Sequence, residues 1–517
     1  MPKNVSKPSI DADTLGLQYS GNQDVIHKKA FGQYLTPIEV ASFMASLTIP
    51  QKSSNIRLLD PGIGSGILVI SLIERIVENW QEVQNIHVTG YEIDTALEPI
   101  CKKALDSTVR WAKNSKVNLT YEIRFKDFII DNAHVLHDGP TLISKLKIGS
   151  DDEPYDLVIS NPPYFKIPKD DPRAKAAKNI VYGQPNIYAL FMAVSTRLLS
   201  RTGQMVFITP RSYASGPYFR AFREFLFSEI TPKQLHLFCS RTDAFDRDAI
   251  LQENVILHAR RRTNGNGSTK VKISFSHGSR DLEACPSRTL ALESIIKLKS
   301  LNKVLFLPTS KDEDKIIETV NSWKGSLHKF DMEISTGKVV PFRATEYLLN
   351  EGDIENGEAP LIWMNSIRDS QIIWPLSKNR KPQYIRIQDE TLPLLNKNGN
   401  YILLRRFSAK EEKKRLNSSP YIQDRIKSEY VAFENHVNFV HRPHGNISRT
   451  EAFGISAILN SSYLDGFFRI SNGNTQVSAT EIRDIPLPDL SLIRKIGEAL
   501  ENSLNINIDE ILLAKAA

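Results

Sequence analysis

A chain of 517 residues with 41% hydrophobic and 24% charged residues has the composition of a soluble globular protein and enough length for two or more cores. Its net charge of +7, spread over that length, leans only weakly toward polyanionic partners. Cys101, Cys239 and Cys285 form no CxxC pair, no apolar run has the length of a membrane span, and the polar start MPKNVSKPSIDADTLG lacks a signal-peptide core. A cytoplasmic protein without metal centre, disulfide framework or membrane association is expected.

Residues 1–30 read as a flexible N-terminal arm. From about 31 to 260, strand-like and helix-like segments alternate, the pattern of a parallel sheet wrapped by helices. In FGQYLTPIEV, Tyr34, Thr36 and Pro37 stand just ahead of a helix; Thr36 is read as its N-cap, with Pro37 at N1 and Glu39 at N3 in a capping-box arrangement.

A strand at Ile56–Asp60 runs into DPGIGSG, where Gly62, Gly64 and Gly66 allow close backbone approach to a ligand and aim a helix N-terminus at it. Such a turn alone is a weak signal. Asp60 sharpens it, because a carboxylate beside the glycines would repel a pyrophosphate and suits a ligand with an amino group. That chemistry points toward S-adenosylmethionine and away from a dinucleotide. The helix after it carries the apolar stripe Leu68, Leu72, Ile73, Ile76 and Trp80.

A second strand, His87–Ile93, ends in GYEID, placing Glu92, with Ile93 beside it, to meet two ribose hydroxyls. In RFKDFII, Asp127 offers an acceptor for an adenine amino group and Phe128 a ring to stack on it. Each acid alone reads as a surface charge; three carboxylates at successive strand ends read as a site.

A third strand, Asp156–Asn161, stops in Asn161-Pro162-Pro163-Tyr164-Phe165. Two prolines stiffen the loop, and an amide and an aromatic ring follow at the carboxyl end of a strand, where open α/β sheets bind ligands. Helix Asn186–Leu199 and strand Gln204–Pro210 come next. Asn254–Arg262 and Lys270–Ser276, flanking TNGNGS, predict a hairpin. After about 290 the alternation fades into mixed segments with the basic run LLRRFSAKEEKKRL, more often a solvated helix face than a binding site. The boundary between the two large domains is placed between about 290 and 335, giving domains 31–290 and 291–517.

In this order, FGQYLTP, DPGIGSG, GYEID, KDF and NPPYF resemble the gamma class of adenine-N6 DNA methyltransferases of restriction–modification systems. Through ITPRSYASGPYFRAFREFL and QENVI they resemble in particular the PstI/BsuBI modification methylases. The likeness covers about residues 31–260, and more faintly SNGNTQVSATEIRDIPLP; Gly62-Ile63 departs from the Ala and small or polar residue more usual in the family. It implies a Rossmann-like catalytic domain followed by a mixed α+β target-recognition domain. Tyr34, Thr36, Pro37, Asp60, Gly62 and Gly64 would then hold the methionine end of S-adenosylmethionine. Glu92 and Ile93 would serve its ribose, and Asp127 with Phe128 its adenine. Asn161 and the carbonyl of Pro162 would accept hydrogen bonds from the N6 amine of a flipped-out adenine, on which Tyr164 stacks.

The implied enzyme is a site-specific, adenine-specific DNA methyltransferase acting on double-stranded DNA, with CTGCAG as the suggested site. Its expected partner is a cognate restriction endonuclease reading the same site without necessarily binding the chain, and a monomer is expected. Phe165, Arg405, Arg406, Asn472, Asn474 and Gln476 are the candidate DNA contacts. Other readings are methylation of RNA or of a protein glutamine, which share the NPPY loop but leave the long C-terminal region without a task, and a non-catalytic DNA-binding module. No acid–lysine cluster of a fused nuclease is evident, so the chain is expected to modify DNA rather than cut it.

Overall fold

Near-continuous apolar strands such as Leu157-Val158-Ile159 have to be covered on both faces, and the computed structural model shows how. It describes residues 6–23, 35–136, 153–240, 253–263, 269–298, 300, 302–376, 381–409, 411–473, 475–504 and 506–514. Tyr34, Asn474 and residues 264–268, where the hairpin turn is expected, lie outside them. The chain divides into two compact units, 1–309 and 310–517.

Unit 1 is built on a nine-stranded sheet in the order β3-β2-β1-β4-β5-β7-β6-β8-β9. The strands are β1 Asn55–Asp60, β2 Asn85–Tyr91, β3 Asn118–Arg124, β4 Tyr155–Ser160, β5 Leu199–Pro210, β6 Ile230–Phe238, β7 Asn254–Arg261, β8 Lys270–Ser276 and β9 Ser287–Ala291. Neighbours from β3 through β5 are parallel, and β7 runs antiparallel between β5 and β6. Leu58, Val88, Leu157 and Ile159 face one apolar layer with the Ile67–Asn79 helix; Leu59, Val158 and Phe207 face the other with the Ile187–Leu198 helix. The chain leaves β1 toward β2 and β3, then returns to place β4 on the opposite side of β1. That reversal opens the crevice in which doubly wound sheets bind ligands.

Three expectations change. Within the N-terminal arm, Pro8–Asn22 is a helix lying on the Ile67–Asn79 and Glu98–Asn114 helices. Its larger apolar side chains Ile10 and Leu17 are exposed and its buried face is small, with Ala12 and Leu15 against the core, so only a faint apolar stripe announces it. Polar ties add to that packing: Ser9 donates from its backbone and hydroxyl to Glu74 (2.7 and 2.9 Å), and the Tyr19 hydroxyl to Asp94 (2.6 Å). Next, β7 and β8 are not a hairpin; β7 pairs with β5 and β6, while β8 lies beyond β6 and parallel to it. The hidden element is β6, whose Pro232 reads as a strand breaker and is absorbed by a register shift between Pro232 and Gln234. Finally, the helix after FGQYLTP is Ile38–Ser46 with Pro37 as N-cap and no side-chain cap, so Thr36 is not the capping residue.

Unit 2 is mixed α and β. It holds a four-stranded antiparallel sheet, a five-stranded sheet, a two-stranded ribbon, and C-terminal helices that include Arg449–Leu459 and Leu490–Glu501 packed on each other. No helix among the described residues is long and apolar enough to cross a membrane.

Candidate active site

A cavity of about 290 Å³ opens at the carboxyl ends of β1, β2 and β4. The turn after β1 forms one wall. Gly64 and Gly66 hold φ of +53° and +87°, which side chains rarely adopt, and Gly66 is the N-cap of the Ile67–Asn79 helix. The departure at Ile63 is accommodated from across the sheet: a Cβ on Gly90 would stand 2.4 Å from Ile63 Cδ1, so a bare glycine on β2 makes room for the larger side chain.

Asp60 ends β1 directly beneath Pro61 and Gly62, which line the cavity, and is itself 0% exposed. One carboxylate oxygen accepts from the Gly62 N–H (3.2 Å); the other is buried without a partner among the described residues. Burial pushes its pKa from 3.8 up to about 8, against the lowering effect of the Gly62 bond, and the Glu92 charge adds to the rise. A buried acid with an orphaned oxygen under a glycine turn fits a cationic ligand group.

Glu92 lies just past β2 and lines the cavity with Ile93, which is 54% exposed. Its carboxylate accepts from the N–H groups of Gly64, Ile93 and Asp94 at 2.9–3.0 Å, tying the glycine turn to β2. Burial raises its pKa, and those three bonds oppose the rise. Asp127 caps the Phe128–Asp131 helix, accepting from Ile129 and Ile130, and its second oxygen stands 3.5 Å from Arg173. Phe128 is 2% exposed, packs edge-on to Tyr91 and reaches the cavity wall.

Asn161 follows β4 and lines the same cavity with Thr36, Pro163 and Phe165; Pro162 is buried beside them. The Asn161 amide is held at both ends. Its Nδ2 donates to Thr36 Oγ1 (3.0 Å), and its Oδ1 accepts from the Tyr164 hydroxyl (2.5 Å), which also faces the Ile208 carbonyl (3.1 Å). Burial pushes the Tyr164 phenol well above its usual pKa, so it remains a donor. Thr36, displaced from the capping role, is therefore a clamp on Asn161.

Sequence reasoning missed several wall residues. Phe191 and Ile187 look like ordinary core positions on a helical stripe. Arg173, bonded bidentate to Asp171 (2.9 and 2.7 Å), reaches the cavity from the short Pro172–Ala176 helix, which Asp171 caps and which carries no motif.

The basic candidates of unit 2 are engaged within the fold. Arg405 donates twice to the Ile367 carbonyl (2.9 and 2.7 Å), and Arg406 to the Asn435 carbonyl (2.8 Å). With its amide oxygen turned inward, Gln476 accepts from Arg406 Nε and Nη2 at 3.3 and 3.1 Å. Asn472 is 3% exposed and donates to Glu481 (2.9 Å), so it supports the Ser478 capping box rather than a surface.

Residues 70–245 match the family model described as Eco57I restriction-modification methylase. The chain is 33% identical over 486 residues to the type II methyltransferase M.BsuBI of Bacillus subtilis, covering 94% of this chain and 93% of the relative. To the type II methyltransferase M.PstI of Providencia stuartii it is 29% identical, over 98% of this chain and 96% of the relative. Among solved structures, that of a DrdV–DNA complex aligns with 95% of this chain and 59% of its own at a TM-score of 0.50 and 14% identity. With a near full-length relative above 30% identity, and the motif-bearing strand ends gathered on one cavity, the chain belongs to the type II methyltransferases of restriction–modification systems.

Proposed function

We propose that the chain methylates N6 of an adenine flipped out of double-stranded DNA, using S-adenosylmethionine, and so protects a site cut by a cognate endonuclease. The observation that carries the reading is Asn161, an amide locked by Thr36 and Tyr164 in the lining of the cavity. A carboxamide oxygen is an acceptor with two lone pairs, the chemistry needed to take a hydrogen bond from a substrate amine. With the Pro162 carbonyl it would hold both hydrogens of an exocyclic amine and draw its lone pair out of conjugation with the ring. The prolines keep both acceptors in place before the substrate arrives, so little reorganisation is needed. Tyr164, partly exposed, would stack on the base.

The cavity fits the cofactor: Asp60 would meet its ammonium, Glu92 and Ile93 its ribose, Asp127 and Phe128 its adenine. When bound, it supplies an electrophilic methyl group on a sulfonium. Unit 2 would read the sequence of the site, CTGCAG by likeness to the relatives. Sequencing of modified adenines in DNA from a host expressing the chain tests the reading. N6-methyladenine at one recurrent site is expected, and modification of a protein glutamine with unmodified DNA would overturn it.

Thr36 gives a finer test. Thr36→Val removes the acceptor for Asn161 Nδ2 while keeping the shape. One ordinary hydrogen bond contributes about 0.5–1.5 kcal/mol, so single-turnover transfer should slow roughly 2- to 12-fold. DNA affinity should hold. An unchanged transfer rate would mean that Thr36 does not orient the amide.

A further inference from the structure

Two aromatic rings on unit 1 are largely exposed. Tyr182 is 74% and Tyr218 61% exposed, and among the described residues neither makes a hydrogen bond or a ring–ring contact. They come from different segments, and Tyr218 lies against the residue that follows Tyr182. Gly183, at φ +67°, lies so close under Tyr218 that a Cβ there would stand 3.1 Å from the ring.

Both segments are joined to the catalytic loop. Residues 185–187 run alongside it: Ile167 N–H donates to the Pro185 carbonyl and Ile187 N–H to that of Phe165, both at 2.9 Å. From the other side Phe219 stacks on Tyr188 (5.9 Å, 19°), and Tyr188 meets Tyr164 edge-on at 6.3 Å. The turn carrying Tyr218 is fixed from below by Arg223, 1% exposed, which donates to the carbonyls of Ser215 (2.7 Å) and Gly216 (3.0 Å). Tyr218 is thus an exposed ring on a rigid mount.

The segment between the catalytic loop and Tyr182 is net basic, with Asp170 and Asp171 as its acids and Asp171 bonded to Arg173. Lys166, Lys169, Lys175 and Lys178 are all exposed, and none forms an ion pair among the described residues. Exposed flat rings and a stretch of lysines leading into one of them are the two components of a surface for opened nucleic acid, in which π-faces hold bases and ammonium groups hold phosphates.

We propose that Tyr182 and Tyr218 form a stacking platform for a base of the opened duplex other than the target adenine, with the four lysines holding the adjoining backbone. The inference rests on the DNA reading above. It gives unit 1 its own grip on the strand, beyond sequence recognition. Its use is to retain the duplex in its opened form after the target has left the stack.

The test uses the full chain and a duplex carrying a site that the wild type is found to methylate. Stacking on one base is worth roughly a 5- to 150-fold change in affinity, so Tyr182→Ala with Tyr218→Ala should weaken binding by that factor. Tyr182→Phe with Tyr218→Phe keeps the rings and should bind within about twofold of wild type. Salt dependence should be unaltered in both, whereas alanine at the four lysines should flatten it by up to about 0.9 per lost phosphate contact. 5-Iododeoxyuridine beside or opposite the target should cross-link to peptides containing Tyr182 or Tyr218. Wild-type affinity in the double alanine variant, with circular dichroism unchanged and wild-type methylation of DNA intact, overturns the platform and leaves the DNA reading standing. Failure of the wild type to methylate DNA at all overturns both.

Discussion

Replacing Asn161 by alanine is expected to slow methyl transfer roughly a hundred- to a thousandfold, about 3–4 kcal/mol in the barrier, while DNA affinity changes little. The magnitude is that of removing one preorganised polar group from the point where charge develops. The geometry gives a reason for the asymmetry between rate and binding. The amide sits on a proline-stiffened loop at the end of β4, fixed by Thr36 on one side and Tyr164 on the other, and it lines the cavity rather than an open surface. Phosphate contacts dominate DNA affinity, and a neutral amide in a cavity is not the group that makes them. Asn161→Ala also leaves the Tyr164 hydroxyl with the Ile208 carbonyl, so the loop keeps one tie to the sheet. Single-turnover transfer of labelled methyl groups, with anisotropy titration of the same duplex, separates the two quantities. Near-normal transfer by the variant would remove Asn161 from the reaction, and an equal fall in affinity would make it a binding residue only.

The strands that frame the crevice were legible because they are short apolar runs ended by chemically distinctive residues. Asp60 closes β1, Glu92 lies just beyond β2, and Asn161 lies just beyond β4. A strand end fixes position along the sheet, so spacing in sequence translated directly into proximity in space. What was not legible depended on contacts between segments distant in sequence. The Pro8–Asn22 helix buries only a small apolar face, Ala12 and Leu15, and is tied through Ser9 and Tyr19 to acids 65 and 75 residues away. β6 was concealed by Pro232, and the turn-like TNGNGS then suggested the wrong partner for β7. Thr36 obeyed a strong local pattern for capping, but proline took the N-cap and the hydroxyl went to Asn161, 125 residues on. In unit 2 the polar candidates were chosen by residue type. Type does not distinguish an arginine offered to a base from one bonded to the Ile367 carbonyl.

Asp60→Asn is expected to move stability and cofactor affinity in opposite directions. In the folded chain burial raises the pKa of Asp60 from 3.8 to about 8, so the folded state binds a proton that the unfolded state releases throughout that window. Stability contributed by the neutral acid is therefore complete below about pH 4 and is lost steadily as the pH rises toward 8. Asparagine keeps an oxygen for the Gly62 N–H and never acquires a charge, so the variant should melt above wild type by a margin that widens between pH 4 and 8. At pH 8 the difference should be on the order of a few kcal/mol. The cofactor pulls the other way. If the second oxygen, buried without a partner among the described residues, meets the ammonium of S-adenosylmethionine, its replacement forfeits a charge-assisted bond. Such bonds contribute about 1.5–3 kcal/mol, so calorimetric affinity should fall roughly 10- to 150-fold. A carboxyl kept near pKa 8 until a cation arrives also implies that binding at pH 7 releases a proton from Asp60. Heats of titration compared in buffers of different ionisation enthalpy read that release directly, and Asp60→Asn should abolish Asp60's share of it. A variant that gains stability but binds cofactor as wild type would leave Asp60 as a support for the glycine turn alone. One that loses stability at pH 8 would mean the carboxylate is satisfied where it lies.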